Sequence, residues 1–128
     1  MSRQSWEWFG TAGHLIVGDQ CRFHLATVVS KGKYLVSTVG FYIPSSIAGL
    51  PDQERMEWLR MHANGEEIGC GRFYETMVFE AGNRCRAKSC ACGLPEISGS
   101  ELDYEAANRA KEATENHMKL CLKWDKKR

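Results

Sequence analysis

No apolar run in this chain approaches the roughly 20 residues of a helical membrane span, and none of it reads as a transmembrane helix. Prolines number only three, and there is no low-complexity tract, internal repeat or domain linker. The formal net charge is +1, so the whole molecule is neither a polyanion mimic nor a general polycation. No P-loop, G-x-S-x-G, H-E-x-x-H or Rossmann fingerprint is present, which removes the commonest signatures of nucleotide and hydrolytic chemistry. Residues Met1 to Trp8 lack the hydrophobic region of a secretory signal. That points to the cytoplasm, where thiols stay reduced.

What is present fits a single domain over residues 1–128, with 43% hydrophobic and 26% charged residues. A chain of that length buries a core without disulfides. Residues 12–17 read as a short strand. Residues 21–29 alternate, with Cys21, Phe23, Leu25, Thr27 and Val29 on one face and Arg22, His24, Ala26 and Val28 on the other. Ser30 to Lys33 is a hairpin-length turn. Residues 34–43 form a third strand in which Gly40 marks a bend or bulge, and residues 73–80 a fourth. Between them, residues 52–63 predict a short helix with Met56 and Leu59 inward. Ser98 and Glu101 have capping-box spacing, and Leu102, Ala106, Ala110, Ala113, His117, Leu120, Cys121 and Trp124 fall on one helical stripe. The expected fold is α+β: an antiparallel meander of about four strands, a short middle helix and a long C-terminal helix, stabilised by zinc.

The zinc expectation rests on Cys85-x4-Cys90-x-Cys92 followed by His117-x3-Cys121. Positions i and i+4 on a helix point the same way, so an imidazole and a thiolate there can share an ion with a cysteine loop. Five candidates stand for four places. The same residues also read as core groups and free thiols, and the even total of six cysteines also fits disulfides.

Other polar groups are less specific. His14 and His24 face one another across a hairpin in this reading, while Cys21 lies on the opposite face of its strand from His24. Arg72, Tyr74 and Glu75 either line a polar cleft or form a solvated strand face. Trp6 and Trp8 either anchor a partner or pack onto the sheet. Arg84, Arg86 and Lys88 in the cysteine loop, with Lys119, Lys123, Lys126, Lys127 and Arg128 at the chain's end, form a basic pole if metal ties loop to helix. That pole is a candidate phosphate contact, and the helix macrodipole accounts for part of it.

The blocks Gly10 to His14, Tyr34 to Gly40, Gly71 to Phe79 and Gly99 to Asp103, with His117-x3-Cys121, resemble a family of small uncharacterised proteins of tailed bacteriophages and prophages. The resemblance implies expression in an infected bacterial cell and carries no catalytic assignment. Three functions follow in order of expectation. The first is a non-enzymatic accessory protein that binds a host protein and inhibits or redirects it, as in anti-defence. The second is a zinc-stabilised nucleic-acid-binding module using the basic pole. The third is a small enzyme using His14, His24 or Glu75.

Overall fold

Alternating β-branched and aromatic residues from Cys21 to Tyr42 lay down a hairpin that organises the rest of the chain. The computed structural model describes residues 6–9, 21–68, 71–84, 95–97 and 100–126. Strand β1 (Glu7–Phe9) pairs with β2 (Cys21–Val29), β2 with β3 (Tyr34–Tyr42), and β3 with β4 (Tyr74–Arg84). The long β4 then takes two neighbours along its length. Strand β6 (Asp103–Ala107) pairs with its first half and β5 (Pro95–Ile97) with its second, giving, among the described residues, a six-stranded sheet in which every pairing is antiparallel. Three of the four expected strands are these central ones, β2, β3 and β4; the fourth, expected over residues 12–17, lies outside the described residues, and the short strands β1, β5 and β6 were not expected.

The turn between β2 and β3 is tight because Ser30, Lys31 and Gly32 all take positive φ. Lys33 N–H closes it on the Ser30 carbonyl at 3.3 Å. Helix α3 (Ala110–Asp125) lies across one face of the sheet. Its buried residues, Ala113, His117, Leu120 and Cys121, recur at the helical spacing that the sequence displayed. Leu120 and Cys121 pack with Val29, Val36 and Val78, and Trp6, Tyr34 and Trp124 close the margin. The Asp125 carboxylate accepts from the Ser30 N–H at 2.8 Å, fixing the helix's last turn to the β2–β3 hairpin.

Side chains on the other face form a second core of Ala26, Val28, Leu35 and Phe79, edged by Met77, Ala81 and Ile97. Being buried on both faces is why the central strands carry near-continuous apolar runs.

Gly40 is not a bulge, because β2, β3 and β4 stay in register through it. Its hydrogen is needed because the Tyr74 ring lies directly over it, where a Cβ would overlap the ring. The bend comes one residue later, at Phe41, whose φ is 54°.

Two helices, α1 (Ser45–Ala48) and α2 (Asp52–Met61), interrupt the β3–β4 connection. Their base is fixed by the Tyr42–Glu66 bridge and by the Tyr74 hydroxyl, which donates to Asn64 Oδ1 at 3.2 Å. Gly65, at φ 75°, lets the backbone pass close to Tyr42.

Candidate functional site

Among the described residues His117 is fully buried, and so are the threonines beneath it. Strand register puts Thr27 beside Val36, and Thr38 between Leu25 and Thr76, all on the face under α3. His117 therefore descends onto hydroxyls: its Nε2 lies 2.8 Å from Thr27 Oγ1 and its Nδ1 2.7 Å from Thr38 Oγ1. Thr38 Oγ1 is in turn 2.7 Å from Thr76 Oγ1. All four residues are buried. One neutral assignment satisfies the chain: Thr76 donates to Thr38, Thr38 to Nδ1, and Nε2–H to Thr27. Burial pushes the imidazole's proton affinity down to about 4. Burial likewise pushes the Cys121 thiol up to about 12, although Thr27 as a donor opposes that shift.

For the expected metal site, the helical half is thus placed and the loop half is not. Cys85, Cys90 and Cys92 lie outside the described residues. His117 and Cys121 are neighbours in the core, and a metal at either ring nitrogen would have to displace a threonine. Among the described residues no group of three His, Cys, Asp or Glu side chains is arranged to hold an ion.

The cations expected at the basic pole are largely paired where they are described. Lys119 bonds Glu105 at 2.8 Å, and Lys123 bonds Asp103 at 2.8 Å. Asp103 also accepts from Trp124 Nε1 at 2.8 Å. Arg84 reaches Glu7 at 2.5 Å. Arg86, Lys88, Lys127 and Arg128 lie outside the described residues, and Lys126 is exposed. Trp6 packs on the core cluster, as the alternative reading of the N-terminal tryptophans had it. Trp8 is 55% exposed, with its ring 6.0 Å from Trp6 and 6.1 Å from His117.

The sheet's other face carries a second polar group. His24, Val39 and Glu75 share one row there, and Tyr104 stands opposite Met77 in the next. The Arg72 guanidinium sits 5.2 Å from the centre of the Tyr104 ring. Burial raises the Tyr104 phenol's pKa, and the nearby Glu75 charge adds to the rise. Glu75 itself is only 9% exposed. His14, expected to face His24, lies outside the described residues, as does Cys70. Cys21 faces away from His24, as strand parity required.

The third feature is the α1–α2 arm. Helix α2 has no buried residue at all. Met56, expected inward, is 59% exposed and Met61 is 77% exposed. The arm's half-buried stripe is instead Arg55, Trp58, Leu59 and His62, with the Trp58 and His62 rings stacked at 4.2 Å. The sequence reading placed Met56 wrongly because a ten-residue helix with two methionines on different sides offers no dominant apolar stripe.

No family model, curated protein or solved structure matches the chain. No helix of the described residues is long and apolar enough to cross a membrane.

Proposed function

We propose that this protein is a non-enzymatic binding protein that engages another protein through the α1–α2 arm, so as to inhibit or redirect it. One observation carries the reading: a ten-residue helix with no buried residue, displaying two exposed methionines. Isolated helices shorter than about 12–15 residues are marginal in water, and α2 rests on its own chain only through the half-buried Arg55, Trp58, Leu59 and His62, which leaves its outer side to meet another surface. Methionine suits a contact surface because its flexible thioether adapts to an apolar cleft.

The flanks add charge. Asp52, Glu54, Glu57, Glu66 and Glu67 are exposed, against only Arg55 and Arg60, and Arg55 is tied to Asp52 at 2.6 Å. The partner surface that fits is an apolar cleft rimmed by lysine or arginine. The resemblance to small uncharacterised proteins of tailed bacteriophages and prophages supports a bacterial host protein as that partner.

The test uses the full chain and a Met56→Asp/Met61→Asp variant. Proteins retained by the wild type from a bacterial extract are identified by mass spectrometry, and the strongest is purified and titrated directly. The expected result is affinity lowered about a hundredfold by the variant, with the melting temperature unchanged because neither side chain is packed. A folded variant that binds as tightly as the wild type, or keeps the full effect in cells, overturns the proposal.

A further inference from the structure

We infer that the cleft at the C-terminal end of α3 is a binding site for a small organic cation of the quaternary-ammonium class, held by Tyr34, Trp124 and Glu80. It is independent of the arm. Tyr34 opens β3 and stands directly opposite Glu80 of β4, so both side chains rise on the same face. Tyr34 packs against the core cluster that α3 covers. Trp124, in the last turn of α3, meets it with ring centroids 4.9 Å apart and planes at 68°. Together with Leu102, Glu80 and Lys33, the two rings line a cleft of about 530 Å³. That volume falls within the roughly 300–1,000 Å³ of small-molecule sites.

The chemistry of the lining narrows the ligand. Indole and phenol rings attract a cation, most strongly one that has shed its water. An ammonium ion covered in methyl groups is only weakly hydrated, and its methyls gain from contact with Leu102, which is 44% exposed. Glu80 is exposed and has no ion pair among the described residues, so its carboxylate is available to balance the ligand's charge. The last carbonyls of α3 add the negative end of the helix macrodipole. Trp124 is held in place before any ligand arrives, because its Nε1–H donates to Asp103 Oδ2 at 2.8 Å.

The surrounding charges set the sign. An anion would be repelled by Glu80, and a neutral molecule of the same shape would gain nothing from that carboxylate. Of the neighbouring lysines, Lys123 is bound to Asp103 at 2.8 Å. Lys33 and Lys126 are exposed, and long side chains of this kind keep their ammonium groups in water. Lys33 lines the cleft, so its charge opposes the ligand and its removal should favour binding.

The experiment is a titration of the full chain with choline chloride at ionic strength held constant with sodium chloride, followed by NMR at the Trp124 indole N–H. The second arm is the neutral analogue of choline in which carbon replaces the ammonium nitrogen, a molecule of the same shape without the charge. Expected are saturable shifts with choline and binding about tenfold weaker for the analogue. Choline should bind about fivefold more weakly to Glu80→Gln and more tightly to Lys33→Gln. Both substitutions fall at exposed positions and so leave the fold intact. Non-saturating shifts, an analogue that binds as tightly as choline, or an affinity unchanged in Glu80→Gln would each overturn the proposal.

Discussion

A histidine with both ring nitrogens bonded to threonine hydroxyls is a polar group the fold has fully provided for, and that makes its proton a measure of stability. His117 takes up a proton at about 4 in the folded chain against an ordinary 6.5. Between those values the unfolded chain binds a proton that the folded one refuses. Stability is therefore constant above about pH 6.5 on this account and falls as pH drops toward 4. The loss reaches about 3 kcal/mol. His117→Gln keeps hydrogen-bonding groups near Thr27 and Thr38 but does not titrate. The expected outcome in urea unfolding is a wild-type advantage at pH 7 that shrinks by about that amount at pH 4. A constant difference would show that the ring is not held neutral. The helical stripe holding His117 and Cys121 was legible in the sequence because its period is local. Their partners were not, because Thr27 and Thr38 lie 90 and 79 residues away along the chain, and only strand register brings them together.

At the scale of elements, the strands β2 and β3 and the body of α3 could be read directly, because alternation and helical stripe each ran for nine residues or more. Residues 102–107 could not. Ser98, Glu101 and the apolar spacing of Leu102, Ala106 and Ala110 imitate a helix start, yet Asp103–Ala107 is strand β6, Leu102 is 44% exposed and α3 begins only at Ala110. The alternation was hidden because the strand turns charges toward α3: Asp103 and Glu105 meet Lys123 and Lys119 there. An inward-facing acid reads as a surface residue until its partner is known. Gly40 was likewise noticed for the wrong reason, and its real role gives a sharp expectation. The Tyr74 ring over it stands edge-on to Phe23 at 5.3 Å and is tethered through its hydroxyl to Asn64, so it has little freedom to retreat. Gly40→Ala should destabilise the fold by about 3 kcal/mol in chemical denaturation. Gly49→Ala, where an added Cβ meets only ordinary contact, should stay within about 0.5 kcal/mol. Equal effects at the two positions would contradict the packing described for Tyr74.

Across the whole molecule, charge distribution separates protein recognition from nucleic-acid recognition. The sequence places a run of cations at the end of α3, and taken alone that run is a phosphate-binding stripe. The fold answers two of them, Lys119 and Lys123, with the acids of β6, and it answers Arg84 at the end of β4 with Glu7 of β1. A lysine already neutralised by a carboxylate releases fewer counterions on meeting DNA, so both affinity and salt dependence shrink. At the other connection, the α1–α2 arm and the segment that follows it present five exposed carboxylates, Asp52, Glu54, Glu57, Glu66 and Glu67, which repel a phosphate backbone from that side. The expected result of a gel shift with short duplex and single-stranded DNA is feeble retention at low salt that disappears at moderate salt. Lys123→Glu bears on the same point from within the fold. Asp103 accepts from both Lys123 and Trp124, so reversing the lysine sets two carboxylates against each other and should lower stability by about 1 kcal/mol. If α3 were instead a free phosphate-binding stripe, that reversal would abolish DNA retention and leave the melting temperature untouched. A lowered melting temperature with no DNA retention to lose places Lys123 in the sheet–helix contact and argues against the nucleic-acid reading, the alternative to the binding role proposed for the arm.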